Sequence, residues 1–151
     1  MDKLYGHKIR ILHWSAHQSM TNALAEMDLT PAQGHILGYL SHADKPPCLR
    51  DLEEVFHLSH PTVSGLLTRL EKKDFLEFRP DENDRRVKRI YLRPKGTACH
   101  ETMERVIREN EEKMVSGFSE EERTQFSAFL ERAMKNMGFA PCEAFCKEEE
   151  T

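Results

Sequence analysis

Apolar residues near the start of the chain recur at roughly helical spacing: Leu4, Ile11, Leu12, Met20, Leu24 and Met27. They predict one long helix over about Leu4 to Met27. Thr30-Pro31-Ala32-Gln33 then reads as a helix start, with Thr30 as cap, Pro31 in the first turn and Gln33 closing a capping box. The second helix runs to about Ala43, buries Ile36, Leu37 and Leu40, and is ended by Lys45-Pro46-Pro47. Cys48-Leu49 reads as a short strand, and a third helix covers about Arg50 to His57 with Leu52, Val55 and Phe56 inward. After a tight turn, Ser59 is placed to cap a fourth helix. On that helix Leu66, Leu67 and Leu70 fall within about 60° of Val63. The opposite face holds Pro61, Gly65 and Thr68, flanked by Thr62, Ser64 and Arg69. Two short helices joined by a short turn, the second greasy on one edge and nearly bare on the other, form a helix-turn-helix pattern.

The period then changes. Phe75 to Arg79 and Val87 to Arg93 read as strands, the second alternating Ile90 and Leu92 against Arg89, Tyr91 and Arg93. The polar PDENDRR between them is a hairpin tip, so the pair is a wing. Pro94 opens a long fifth helix with Met103, Val106, Ile107, Asn110 and Met114 on one face. Ser119-Glu120-Glu121-Glu122 is a second capping box, starting a sixth helix with Phe126, Phe129, Leu130, Ala133, Met134 and Met137 inward, and Gly138 stops it. The CEAFCKEEET tail is expected to pack loosely. The fold class is mainly α with a small antiparallel β wing.

Charge sharpens this picture. The chain of 151 residues carries a formal net charge of −4, which by itself argues against a polyanionic partner. Yet His60 to Lys95 holds ten Lys/Arg against six Asp/Glu, a net of +4, leaving twelve against twenty, or −8, elsewhere. A basic segment on an acidic body steers a polyanion to one face. No apolar run approaches the ~20 residues of a membrane span, and MDKLYGHKIRILHW has no signal-peptide pattern, so the expected location is cytoplasmic. There is no Gly-rich phosphate loop, GxSxG or HExxH, and the paired carboxylates near Glu120 serve a helix start, so an enzyme is not expected.

The bare helix face suits a major groove, because small residues let a backbone approach base edges and Ser or Thr hydroxyls pair with either kind of base. Arg85 and Arg86, just past the wing tip, are placed to reach an adjacent minor groove, whose negative potential in A·T-rich DNA attracts arginine. The alternative for the same elements is a winged helix that docks an acidic protein.

LTPAQGHILGYL (Leu29 to Leu40), LRDLEEVFHLSHPTVSGLLTRLEKKDFLEF (Leu49 to Phe78) and DENDRRVKRIYLRPKG (Asp81 to Gly96) together resemble the MarR family of winged-helix transcription regulators. The resemblance spans about Leu4 to Met137. It implies a winged helix-turn-helix lobe over 30–95, dimerisation helices over 4–27 and 95–137, a tail over 138–151, and a homodimer on palindromic double-stranded DNA. It further implies that Ser59, His60, Thr62, Ser64, Thr68 and Arg69 face bases or phosphates and that Arg85 enters the minor groove. Asp84 and Arg86 match the family's wing brace. Three positions depart from the pattern. Gly65 stands where relatives often carry a basic or larger polar residue, which shifts weight to the wing and DNA shape. Asp74 replaces the glycine that usually ends the recognition helix, and Arg93 replaces the usual Thr cap before the fifth helix.

Family members lose DNA affinity to a small molecule, an oxidant or a metal, and the trigger here is weakly marked. His13 and His17 lie one helical turn apart, as do His100 and Glu104, which is a spacing metals use when further ligands converge. A metal-sensing member using these histidines is therefore an alternative. Cys142 and Cys146 are redox candidates, although Glu143 and Glu148 are poor neighbours for a reactive thiolate. Trp14, Tyr39, Phe56 and Tyr91 are candidates to line a cleft for an aromatic effector, with core packing the competing reading.

Overall fold

The computed structural model describes residues 4–139. Along the chain lie α1 (Tyr5–Glu26), α2 (Pro31–His42), α3 (Leu49–Phe56), α4 (His60–Lys72), β1 (Leu76–Pro80), β2 (Lys88–Leu92), α5 (Pro94–Met114) and α6 (Glu120–Asn136). They form two compact units, one reaching Glu111 and one starting at Glu112.

The first unit has a continuous core. Leu24 of α1, Ile36, Leu37 and Leu40 of α2, Leu52 of α3, and Val63, Leu67 and Leu70 of α4 meet Phe75, Leu76, Ile90, Cys99 and Met103. Its local signals are those of the sequence. Thr30 and Gln33 form the reciprocal capping box, with the Thr30 N–H donating to Gln33 Oε1 (3.0 Å) and the Gln33 N–H to Thr30 Oγ1 (3.3 Å). That pairing explains why a glutamine is only 2% exposed here. Asp74 ends α4 at φ 69°. Asx residues tolerate this left-handed conformation better than most, and Arg93 pairs with the Asp74 carboxylate at 3.2 Å. So Arg93 holds the end of α4 with its side chain while its carbonyl accepts the Thr97 N–H (3.1 Å) at the start of α5. Gly96 is needed for close approach, since a Cβ there would lie 2.2 Å from the Phe75 carbonyl oxygen.

β1 and β2 pair antiparallel with Leu76 opposite Leu92 and Phe78 opposite Ile90. The segment before α3 adds to this wing: Cys48 bridges to Arg89 and the Ile90 N–H donates to Pro47 O (2.9 Å). The expected Cys48-Leu49 strand is thus a single bridge, and Leu49 already opens α3 because Asp51 draws the chain into a helical turn by accepting the Cys48 N–H (2.8 Å).

In the second unit, Ser119 and Glu122 form the expected capping box. Arg123 pairs with Glu112 at 3.3 Å, and Phe118 meets Phe126 edge to face at 5.7 Å. Gly138, at φ 85°, ends α6 with its N–H on Lys135 O, and the next N–H, of Phe139, reaches Met134 O.

Several residues expected inward are not. Val55 is 47% exposed, at the edge of an eight-residue helix that buries only Leu52. Ile107 lies on the outer side of α5, whose core contacts come from Cys99, Met103 and Val106. α6 buries no residue: Phe129 is 57%, Leu130 38%, Met134 52% and Met137 79% exposed. Leu4, Ile11 and Leu12 of the α1 region are also bare. Periodicity reports that a helix has an apolar face; it cannot report whether the same chain covers it.

Candidate nucleic-acid interface

α4 puts Val63, Leu67 and Leu70 in the core and leaves Pro61, Thr62, Thr68 and Arg69 exposed, with Ser64 and Gly65 half-buried. Space around Gly65 is open, since a Cβ there meets nothing within 4 Å. The Thr68 hydroxyl donates back to Ser64 O (2.8 Å), which turns the hydroxyl inward along the helix. Ser59 occupies the N-cap position, but its Oγ pairs with Thr62 Oγ1 (2.9 Å) rather than a backbone N–H. The expected cap bond is therefore replaced by a hydroxyl pair on the helix's leading edge. His60 Nδ1 lies 2.6 Å from Glu53 Oε1 of α3, a partner that the sequence did not signal.

The wing comes to the same side. One open concavity is lined by Arg50 and Glu53 of α3, His60 of α4, and Arg86, Val87 and Lys88 of the wing. His60 at the start of α4 and the wing residues Arg86 to Lys88 therefore border one concavity together with α3. Arg50 and Lys88, which sequence reasoning had not singled out, add positive charge to it; Arg50 leans on Glu54 at 3.2 Å.

At the tip, Arg86 sits 3.5 Å from Asp84, two residues back in the same turn, with its side chain 94% exposed. The Asp84 carboxylate also accepts the Arg86 N–H (3.0 Å), so this pair shapes the turn. The tether between wing and body is Arg89, which went unrecognised. Its Nε donates to Asp81 Oδ2 (2.7 Å), its Nη1 lies 3.7 Å from Asp51 of α3, and the same nitrogen is 3.4 Å from Pro46 O. The alternation of β2 placed Arg89 on the face away from Ile90, but nothing in the local sequence pointed to Asp51, 38 positions upstream.

These bonds set the acid–base character. The Arg89 guanidinium, helped by the N–H groups of Asn83 and Asp84, holds the Asp81 carboxyl below the usual carboxylate range. Asp51 is lowered chiefly by the Cys48 N–H, and Arg89 is held more firmly protonated by Asp81. By contrast, the side chains of Arg69 and Arg85 have no hydrogen-bond or ion-pair partner among the described residues. Both are exposed.

The other candidates separate. His13 and His17 are exposed on α1 with ring centroids 6.0 Å apart, and they join no group of three potential metal ligands among the described residues. His100 and Glu104 do join one, through His42 at the end of α2. Cys142 and Cys146 lie outside the described residues. The four aromatic residues do not gather. Tyr39 and Phe56 pack edge to face at 5.8 Å, Tyr91 lies under the Arg79 guanidinium, and Trp14 is 64% exposed.

Comparison with known proteins fits this geometry. The MarR family model matches residues 27–87, from the end of α1 through the wing tip. The chain is 27% identical over 113 residues to the HTH-type transcriptional regulator YybA of Bacillus subtilis, covering 74% of each. It superposes on MepR of S. aureus in complex with DNA with a TM-score of 0.77 and 32% identity, over 88% of this chain and 99% of that one. A MarR family regulator from Clostridium acetobutylicum gives a TM-score of 0.76 at 29% identity, over 89% and 99%. The likeness extends through helices on both sides of the matched lobe. With a recognition-type helix and a basic wing sharing one face, this places the chain in the MarR family of transcriptional regulators.

Proposed function

We propose that the protein is a homodimeric, sequence-specific double-stranded DNA-binding regulator that represses transcription until a small molecule, metal or oxidant lowers its DNA affinity. The observation that carries the reading is the concavity that α3, His60 at the start of α4, and the wing border together. It is what a helix in a major groove and a finger on the neighbouring minor groove require. In this reading Ser59, Thr62, Ser64 and Thr68 meet base edges or phosphates, while His60 and Arg69 contact the backbone. Arg85, with no internal partner to release, enters the minor groove. Arg86 lines the wing side, and Asp84 fixes the turn that presents both arginines. The homodimer is supported by the bare apolar faces of α1 and α6, taken separately. Exposed apolar surface on this scale marks an interface in a regulator of this size. Two recognition helices related by a two-fold axis then match a palindrome with half-sites about 34 Å apart.

Salt titration of binding to a duplex carrying the palindrome tests the reading. Affinity is expected to fall log-linearly with salt, with a slope of about −0.9 for each phosphate neutralised. A docking module for an acidic protein would bind no duplex tightly at any salt concentration, and that result would remove the DNA reading.

A further inference from the structure

The end of α2 and the base of α5 bring together His42, His100 and Glu104, each with one ligand-type atom within 4.8 Å of the others. His42 lies 58 positions before His100 in sequence, so the fold, not local spacing, brings it to the His100–Glu104 pair. His100 is largely buried, with its side chain 15% exposed, and its Nε2 lies 3.2 Å from Glu104 Oε1. The two imidazoles meet edge to face with centroids 4.8 Å apart. His100 Nε2 and the Glu104 carboxylate face one another at 3.2 Å, so with the ring proton on Nδ1 two acceptors meet, and a cation between them satisfies both.

From this geometry we infer a divalent transition-metal site, with Zn²⁺ the best match, held by His42, His100 and Glu104 and open at a fourth position to water. Two imidazoles and one carboxylate form a donor set of borderline softness that suits Zn²⁺ and disfavours Mg²⁺ and Ca²⁺, which want oxygen ligands. Tetrahedral Zn²⁺ with bonds of about 2.1 Å needs ligand atoms roughly 3.4 Å apart. The ligand atoms all lie within 4.8 Å of one another, near that spacing, with His42 exposed on the last residue of α2. Arg108, 3.7 Å from the other Glu104 oxygen, keeps that carboxylate oriented along α5. The ion would pin the end of α2, the first helix of the DNA-binding lobe, to α5. The site is distinct from the His13/His17 pair on α1, and it stands whether or not the protein binds DNA.

The test uses the full chain, stripped of metal by a chelator and titrated with ZnCl₂ against a chromophoric competitor, with MgCl₂ as control. One Zn²⁺ equivalent per chain is expected, with no response to Mg²⁺. His42→Ala, at an exposed position, should weaken binding at least tenfold with the far-UV circular dichroism spectrum unchanged, as should Glu104→Gln. The double variant His13→Ala/His17→Ala and the double variant Cys142→Ser/Cys146→Ser should bind as the parent does. The inference is overturned if no Zn²⁺ binds, if His42→Ala leaves the titration unchanged, or if binding disappears with the α1 histidines or the tail cysteines instead.

Discussion

Single residues on α4 and at the wing separate folding from binding. Gly65 is the sharpest case. In the interior of a helix, alanine is favoured over glycine by about 0.5–1 kcal/mol, and a Cβ at this position meets open space. Gly65→Ala should therefore raise the chemical-denaturation midpoint while weakening binding to the palindromic duplex, because the added methyl keeps the backbone from base edges. Equal or tighter binding by that variant would mean the bare face is not what meets DNA. Arg85→Ala should leave the melting temperature unchanged, since the side chain is exposed and has no partner among the described residues. The same change should cost about 1–3 kcal/mol of specific binding and relax the A·T preference beneath the wing. Gly96 carries the opposite signature. Its Cβ would collide with backbone, the Phe75 carbonyl oxygen, so Gly96→Ala should destabilise the fold by about 1–3 kcal/mol. Circular dichroism melts would register that loss before any binding assay is needed.

At the scale of elements, what the sequence disclosed and what it withheld divide by range. Capping boxes at Thr30 and Ser119 and the glycine stop at Gly138 are written within four or five residues, and each was legible. The buried stripe of α4 and the alternation of β2 were legible for the same reason. The attachment of wing to body was not. Arg89 reaches Asp51 and Pro46 across some forty residues, and an outward-facing arginine in a strand looks the same whether it is solvated or tied. The candidate interface divides similarly: Arg85, Arg86 and the small α4 residues were named from sequence, whereas the His60–Glu53 contact and the place of Arg50 and Lys88 in the concavity needed the fold. The wing tie also has a pH signature. Asp81 and Asp51 have folded-state pKa values below the usual carboxylate value of about 3.9. A carboxyl lowered on folding contributes stability that is present above its unfolded pKa and is lost as pH falls through the folded one. The wing should thus hold at neutral pH and loosen in acid below about pH 4. Asp81→Asn should lower neutral stability and flatten that acid limb in urea unfolding followed across pH; an acid limb as steep as the parent's would show that this carboxylate is not the tie.

For the molecule as a whole, the decisive quantity is apolar surface on α1 and α6, each taken by itself, that the described residues leave exposed. On α6, Phe126, Phe129, Leu130, Ala133, Met134 and Met137 recur at three and four residues, a continuous stripe, yet none is buried. On α1 every residue from Tyr5 to Ser15 is exposed, Ile9 at 51% and Trp14 at 64% among them, and Leu24 alone is buried. Isolated helices have little stability of their own, so an amphipathic helix in a protein draws its stability from packing that face. In the proposed homodimer, a second copy of the chain would supply such packing. Covering two or three side chains of this size is worth about 1.5–3 kcal/mol each, so a charge at the centre of one stripe should be enough to break the assembly. Phe129→Glu should therefore sediment as a monomer at micromolar concentration where the parent sediments as a dimer. Because each protomer offers one winged helix, the monomer should also lose most of its affinity for the full palindrome while keeping the parent's weaker affinity for a half-site. If Phe129→Glu instead sediments as the parent does, the α6 stripe is not the seam of the proposed dimer.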